Sequence, residues 1–279
     1  MSIKPYAIGV CSWSLQVKSI PELSRLLDGL GVNVIQLACG DPHHAAWEEG
    51  DRMPQAACAA GFEVSAMMLG FPGEDYTTPQ TIKETGGFGN PATRAERLDR
   101  LAWALQRTQE VGVDLLTLHA GFLPEPSDPG RGAFLDTLGK ASAMAAEKGI
   151  RLGFETGQET ADLLRRTLDD LKCPNLKVNF DPANMLLYDM GDPIRAVEIL
   201  GPDIASVHCK DANRPTTPGT WGEEVPLGEG QVNMRAFVEA LKRVDFAGPL
   251  VIEREVGDQA ARVRDCEHGI RVLREILAG

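Results

Sequence analysis

The sequence predicts an α/β protein, a (β/α)8 barrel that spans residues 1–279 as one domain. Three observations predict this fold class. Eight short apolar runs of strand character alternate with amphipathic segments of helical spacing. The last four runs each end on a residue that can bind a metal, and the 279 residues are close to the roughly 250 typical of this barrel. A doubly wound open sheet is the alternative, but it brings four consecutive strand ends to one point less readily.

The predicted strands are short and alternate with longer segments. They cover residues 6–11, 33–38, 62–68, 114–118, 151–154, 177–180, 204–207 and 249–252. The segments between them carry apolar residues at intervals of three and four, which is typical of amphipathic helices. The clearest repeats are Leu98/Leu101/Leu105/Thr108/Val111, Leu163/Leu164/Leu168/Leu171, Phe237/Ala240/Leu241/Val244 and Val263/Ile270/Leu273/Leu277.

The residues at the ends of these segments agree with the predicted helices. Pro21 after Ser19, and Pro193 after Asp192, predict helix starts, because proline is well tolerated in the first helical turn. Glycines that follow helices and precede strands are predicted to end those helices: Gly31, Gly61 and Gly149. Repeated strand–helix units with right-handed crossovers close most simply into a barrel.

The last four predicted strands end on polar residues whose side chains are expected to point to the same face of the sheet: Glu155, Asp181, His208 and Glu253. Because side chains alternate along a strand, Leu152 and Phe154 lie opposite Glu155, and the other three runs repeat this arrangement. We therefore expect the apolar side of these strands to face the helices. The polar side chains should converge at the carboxyl end of the barrel, where active sites of this architecture lie.

Three carboxylates and one imidazole predict a site for one divalent metal ion. This donor set suits Mn²⁺ best, with Mg²⁺ and Co²⁺ close behind and Zn²⁺ possible. Glu155 and Glu253 are also candidate bases, one on each side of a substrate. Any one of these residues alone could simply cap a helix or face solvent, but four in one phase favour a joint site.

Other side chains are predicted to surround the same mouth. His119 follows the 114–118 run in the same phase and can bind a substrate hydroxyl or move a proton; a hydrogen-bonded rim histidine is the alternative. Lys210 lies two residues beyond His208 and can hold a substrate oxygen. Trp13 can form an apolar wall against a sugar face, or serve packing alone.

Composition restricts the partners and the compartment. The net charge of −12 argues against nucleic-acid binding, which requires a basic surface, and favours a neutral or weakly charged small molecule. No apolar run is long enough to span a membrane. Six scattered cysteines and the lack of an export signal predict reduced thiols in a cytoplasmic protein.

Two long loops are expected to cover the site, at 70–90 and 211–232. Within the first, Gly86-Gly-Phe-Gly89 predicts a mobile lid rather than a phosphate loop, because no strand directly precedes it. His43-His44 is interpreted as part of the loop that leads into the second helix.

Several motifs resemble the xylose isomerase-like TIM barrels, a family of sugar isomerases, ketose 3-epimerases, inosose dehydratases and apurinic-site endonucleases. The resemblance covers nearly the whole chain. Its most specific parts are Gly153-Phe-Glu155-Thr, Asn179-Phe-Asp181-Pro-Ala-Asn184, Val207-His-Cys-Lys-Asp211, Leu227-Gly-Glu-Gly230 and Val251-Ile-Glu253.

The resemblance implies roles for particular residues. In ketose 3-epimerase-like members, the residues that match Glu155, Asp181, His208 and Glu253 bind Mn²⁺ or a similar ion, and the two glutamates exchange protons with the substrate carbon. Some members contact substrate through an arginine six residues beyond the metal histidine, which is the position of Arg214. Asn184 stands where these epimerases often have a histidine, so substrate contacts there should differ.

The resemblance therefore implies a metal-dependent isomerase or epimerase that acts on a ketose or related polyol carbonyl through a metal-stabilised enediolate. The alternative is a metal-dependent lyase of the inosose dehydratase or keto-glycoside-cleaving type, which the pattern His208-x-Lys210-Asp211 also resembles. A non-catalytic carbohydrate-binding protein is a third reading, and relatives suggest a homodimer or homotetramer. An endonuclease is disfavoured, because its extra zinc-binding histidines are replaced here by Asn184 and Gly222-Glu-Glu224. Expected substrate contacts are His119, Asn184, Lys210, Arg214 and Trp13.

Overall fold

A computed structural model describes residues 5–40 and 46–279 of the chain; His43 and His44 lie outside these residues. Among the described residues, eight parallel strands close into a barrel. They are β1 (Ile8–Cys11), β2 (Val34–Ala38), β3 (Glu63–Leu69), β4 (Leu115–Leu118), β5 (Arg151–Glu155), β6 (Leu176–Phe180), β7 (Ile204–Cys209) and β10 (Leu250–Ile252). The predicted fold class is confirmed, with strand bounds shifted by one or two residues.

Helices surround the barrel. They are α1 (Ile20–Leu30), α2 (Met53–Ala60), α3 (Pro79–Thr85), α4 (Arg94–Val111), α5 (Arg131–Glu147), α6 (Ala161–Leu171), α7 (Pro182–Leu187), α8 (Pro193–Leu200), α9 (Met234–Arg243) and α10 (Gln259–Ala278). The predicted caps are present: the Ser19 hydroxyl accepts a hydrogen bond from the Glu22 N–H, and Gly31 ends α1 with a φ of 65°, where a side chain would be strained. No described helix is long and apolar enough to cross a membrane.

The two faces of the strands separate apolar from polar residues. Phe180 of β6 stacks on Phe237 of α9 with ring centroids 5.6 Å apart, so this phase of the strand faces the helices. The opposite phase points into the barrel and includes the buried polar residues Gln36, Thr117 and Asn179. The alternation predicted for the strands is therefore correct, and the inward face is partly polar.

Two loops build the wall above the strand ends. The segment after β7 contains an antiparallel hairpin of β8 (Asp211–Asn213) and β9 (Glu223–Val225). The segment after β3 contains α3 and ends in Gly86–Gly89. The lid predicted for Gly86–Gly89 is wrong: Phe88 is fully buried and its N–H donates to the Ala120 carbonyl at 2.8 Å. A Cβ at Gly87 would lie 2.1 Å from the backbone of Ala120, so this segment is a tightly packed corner against the end of β4.

Candidate metal centre and active site

The four predicted ligands come together because their strands are neighbours. The barrel order places β5, β6, β7 and β10 side by side. Glu155 is the last residue of β5, Asp181 follows β6 as the cap of α7, His208 is near the end of β7, and Glu253 follows β10. One ligand atom from each residue lies within 4.8 Å of those of the other three, and all four residues are buried.

The imidazole of His208 lies at the centre of this cluster. Its Nδ1 is 3.3 Å from Glu155 Oε1, 3.4 Å from Asp181 Oδ2 and 3.4 Å from Glu253 Oε2. Asp181 Oδ1 accepts a hydrogen bond from the Asn184 N–H at 2.8 Å. His208 Nδ1 and Asp181 Oδ2 are buried without a hydrogen-bond partner among the described residues. Buried polar atoms rarely lack a hydrogen-bond partner. A divalent cation held by three carboxylates and an imidazole would provide a partner for both atoms.

Charge is unevenly distributed over the cluster. Burial by itself lowers the pKa of His208, but the carboxylates of Glu253 and Glu155 outweigh burial and raise this pKa well above its usual value. Burial raises the pKa of Asp181 to about 6, although Lys210 and His208 oppose this shift. Burial also acts to raise the pKa of Glu253, but His208 and Lys210 overcome it and lower this pKa well below the usual value. The cluster therefore holds protons that an arriving cation must displace.

We expect metal affinity to rise with pH. Below about pH 6 a proton on Asp181 competes with the metal, and the raised pKa of His208 extends this competition above neutrality. Each proton released contributes up to about tenfold in affinity per pH unit. Chelator-competition titrations with Mn²⁺ from pH 5.5 to 8, paired with calorimetry in two buffers of different ionisation enthalpy, measure both the slope and the proton release. An affinity that is constant over this range would contradict the expectation.

A hydrogen-bond chain inside the barrel fixes the imidazole. His208 Nε2 lies 2.7 Å from Gln36 Oε1. The Gln36 amide nitrogen donates to Thr117 Oγ1 at 2.8 Å, and this hydroxyl donates to the Met67 carbonyl at 3.0 Å. The Gln36 oxygen must therefore be the acceptor, so Nε2 carries the proton and Nδ1 offers its lone pair to the cluster when the ring is neutral. Such partners orient metal-binding histidines.

Replacing Gln36 with methionine is expected to weaken Mn²⁺ binding by about 10- to 100-fold, because the preferred tautomer loses its acceptor. Chelator competition measures the affinity, and ¹⁵N chemical shifts of the His208 ring report the tautomer in the metal-free protein. The matched control is Thr117→Ser, which keeps the hydroxyl that orients the Gln36 amide and should cost much less. Equal losses of Mn²⁺ affinity in the two variants would show that Gln36 and Thr117 act only through packing.

The two glutamates have different partners. Glu155 accepts hydrogen bonds from the side-chain amides of Asn184 at 2.9 Å and Asn179 at 3.1 Å. Glu253 accepts from the Trp13 indole N–H at 2.7 Å and from the Lys210 ammonium at 2.9 Å. Glu155 is therefore held by neutral donors, whereas Glu253 is paired with a buried cation.

The predicted substrate residues surround a cavity of about 460 Å³ at this end of the barrel, and Trp13, His119 and Asn184 line it. His119 Nε2 lies 3.7 Å from Glu155 Oε1. Lys210 is buried between Asn184, Glu253 and Glu255, so its ammonium is next to the cavity but already surrounded by acceptors. The structure thus brings four of the five predicted substrate contacts to the site.

Arg214 is the exception. Its guanidinium donates to Asp189 Oδ1 at 2.7 Å and to the Gly191 carbonyl, and the residue does not line the cavity. The prediction for Arg214 rested on its distance along the chain from His208. That spacing does not position the side chain, because β8 begins at Asp211 and directs the chain away from the strand end.

Sequence reasoning missed several residues of the site. Gln36 did carry a signal, since it is a polar residue in the apolar run Val34-Ile-Gln-Leu-Ala38, in the phase that points inward. Glu224 and the aromatic residues Tyr76, Tyr188 and Trp221 also line the cavity. Glu224 lies on the three-residue strand β9, and the aromatic residues lie in loops or at a helix end. No periodicity marks such positions.

This chain is similar to several known proteins. The family model described as "Xylose isomerase-like TIM barrel" matches residues 24–276. An uncharacterized protein of Methanocaldococcus jannaschii is 27% identical over 207 residues, which are 67% of this chain and 66% of that protein. L-ribulose-5-phosphate 3-epimerase of Salmonella typhi is 29% identical over 174 residues, which are 60% of this chain and 59% of the enzyme. The chain thus spans slightly less than two thirds of the length of these curated relatives.

A solved structure agrees with the family match. The xylose isomerase domain protein from Planctomyces limnophilus is 33% identical to this chain and superposes with a TM-score of 0.88, covering 98% of this chain and 97% of that one. The family model, which covers most of the chain, and the closed eight-stranded barrel together show that this protein belongs to the xylose isomerase-like TIM barrel family.

Proposed function

We propose that this protein is a divalent-metal-dependent sugar isomerase or epimerase that transfers a proton next to a ketose or polyol carbonyl. The observation that carries the proposal is the pair of buried glutamates, Glu155 and Glu253, which share one cluster with Asp181 and His208 but have separate hydrogen-bond partners. The relative named L-ribulose-5-phosphate 3-epimerase supports this reaction class.

The residues of the chain divide the work. Glu155, held by neutral amides, is suited to take a proton from a substrate carbon, and Glu253 to return one from another direction. The Asn184 amide, which lines the cavity, would hold a substrate oxygen, and His119 would move a proton between oxygens. The Lys210 ammonium, next to the cavity, would exchange one of its present acceptors for a substrate oxygen. A divalent ion held by the four ligands supplies electrostatic stabilisation for negative charge that develops on adjacent substrate oxygens.

A second candidate is a lyase that eliminates water or an aglycone with the same bases. The buried Lys210 ammonium, in contact with Glu253 and Glu255, favours this candidate, because a cation next to the base can stabilise negative charge on a leaving oxygen. A lyase and an epimerase share the first proton removal and differ in the product.

The test is deuterium incorporation. Protein loaded with Mn²⁺ is incubated in D₂O with a panel of ketoses and inososes, and NMR follows the C–H next to the carbonyl and the products. Incorporation together with a new stereoisomer supports the isomerase or epimerase. Loss of water or an aglycone supports the lyase. If no member of the panel gives either result, both proposals are wrong.

A further inference from the structure

The cavity has two parts that differ in chemistry. The strand-end part contains the polar groups Glu155, Glu253, His119 and Asn184. The loop part, which lies on α7 and on the segments after β3, β7 and β10, contains apolar and aromatic residues: Tyr76, Leu187, Tyr188, Trp221 and Val256. Polar groups that fix a reacting centre, next to an apolar surface that holds the rest of a ligand, are typical of small-molecule sites.

Tyr188 and Trp221 form an aromatic wall in the loop part. Their ring centroids are 4.7 Å apart, with planes at 68°, and Phe122 packs edge-on against Tyr188 at 5.7 Å. The Gly222 N–H donates to the Leu187 carbonyl at 3.1 Å, which ties the hairpin to the end of α7. The wall is therefore built by contacts between separate loops and lines the cavity with neutral aromatic rings, against which the ring of a ligand can pack.

The charges that line the cavity are negative. The five described glutamates that line it are Glu74, Glu155, Glu224, Glu253 and Glu255. No described lysine or arginine lines it. The nearby cations are already engaged, and Arg262 donates to the main-chain carbonyls of Trp13 and Glu255. Lys210 contacts Glu253 and Glu255, and Arg254 pairs with Glu224 at 2.7 Å and with Asp265 at 2.8 Å.

A phosphate group in this cavity would meet glutamate carboxylates and no lining lysine or arginine among the described residues. Two unit charges about 4 to 8 Å apart repel by roughly 2 to 4 kcal/mol at the effective dielectric of a protein surface. In the part of the cavity that the structure describes, no free cation offsets this repulsion. The lining therefore disfavours a phosphorylated sugar.

The cavity also exceeds the needs of a monosaccharide. Cavities of roughly 300–1,000 Å³ take drug-sized ligands, which are larger than a hexose with its about twelve non-hydrogen atoms. The cavity volume is about 460 Å³. The remaining space adjoins the aromatic wall.

On the basis of the proposed function, we propose that the substrate is a neutral, unphosphorylated saccharide that carries a second ring, and that Tyr188 and Trp221 hold this ring. The reacting carbonyl would lie at the strand ends and the second ring in the loop part. The substrate class would then differ from that of the relative named for a sugar 5-phosphate.

The test uses three probes that share a reacting sugar: D-fructose, D-fructose 6-phosphate, and isomaltulose, which carries a glucose ring on the same O6. Calorimetric titration of Mn²⁺-loaded protein should give about tenfold tighter binding of isomaltulose than of fructose. Fructose 6-phosphate should bind at least about tenfold more weakly than fructose. Tyr188→Ala and Trp221→Ala should each bring the isomaltulose-to-fructose affinity ratio close to one. Trp103→Ala, at a half-buried position of α4 that does not line the cavity, is the matched control and should leave the ratio unchanged.

A charge variant tests the other half of the proposal. Glu255→Gln removes one negative charge from the lining and should raise the affinity for fructose 6-phosphate several-fold relative to fructose. Tighter binding of the phosphate than of fructose by the unmodified protein would overturn the proposal. The proposal would also be overturned if isomaltulose bound no better than fructose, or if neither sugar bound. The same holds if both aromatic variants left the isomaltulose-to-fructose affinity ratio unchanged.

Deuterium exchange on the same samples separates this proposal from the proposed function. Preference for isomaltulose without exchange or elimination on any substrate would refute the function and leave the ring subsite standing. Exchange on fructose 6-phosphate, without preference for a second ring, would refute the subsite and leave the function standing.

Discussion

Replacing Glu253 with glutamine should lower turnover by about 10³-fold or more, because glutamine cannot accept the proton that a carboxylate takes from carbon. The same change keeps one oxygen, which can stay in the metal cluster and accept from Lys210, whereas the amide nitrogen replaces the oxygen that accepts from Trp13 Nε1; the native carboxylate contacts these two donors at 2.9 Å and 2.7 Å. Glu155→Gln should have a comparable effect on formation of the new stereoisomer. Product formation and deuterium exchange, both followed by NMR, measure these losses.

The control for this experiment has two parts. Metal content is measured on each variant, since Glu155 and Glu253 are also expected ligands and loss of the ion would mimic loss of the base. Glu223→Gln, an exposed change on the hairpin, should leave turnover unchanged. If the Glu253 variant retains the metal and also retains more than about a tenth of the turnover, Glu253 is not a base.

Replacing Asp181 with asparagine should stabilise the metal-free protein and at the same time weaken Mn²⁺ binding by at least about 100-fold, as expected when an oxygen anion is lost from the ligand set. Burial raises the pKa of Asp181 to about 6. A raised carboxyl pKa means that the folded protein favours the protonated form, so its stability falls as pH rises from the unfolded-state pKa to about 6. Above that pH the cost is about 3 kcal/mol or less, and asparagine removes it.

Denaturant unfolding of the metal-free protein at pH 8 and at pH 4 measures this effect. The gain from Asp181→Asn should be present at pH 8 and absent at pH 4, where the native carboxyl is already protonated. Asparagine is an equally good helix cap, so α7 should start as before. Asp192→Asn, at the cap of α8, is the matched control and should give no comparable gain. A loss of stability at pH 8 in the Asp181 variant would contradict the expected cost of burying the Asp181 charge.

The strand-based predictions succeeded because they rest on a local rule. Alternation along a strand fixes which side chains share a face, so Glu155 and His208 could be placed in one mouth without knowledge of the loops. The same rule could have identified Gln36, whose amide accepts from His208. It was overlooked because one polar residue in a short apolar run indicates a ligand partner less clearly than a carboxylate at the end of a strand.

The loop-based predictions were weaker. Arg214 was placed by its spacing after His208, and Gly86–Gly89 by its glycine content. In the structure Arg214 pairs with Asp189, and Phe88 is fully buried beside Ala120. A loop's path depends on what it packs against, and that partner is distant in sequence.

The sequence by itself determined the barrel fold, the family and the alternation along the strands. This alternation brings the imidazole of His208 and three carboxylates to the carboxyl end of the barrel. These follow from the period of a strand and from residue types, which are local properties. Only the tertiary structure decided which partner each glutamate has, which tautomer His208 adopts when neutral, and that Tyr188 meets Trp221 above the strand ends. These features depend on closure of the barrel, because closure alone brings residues from distant strands and loops within contact distance.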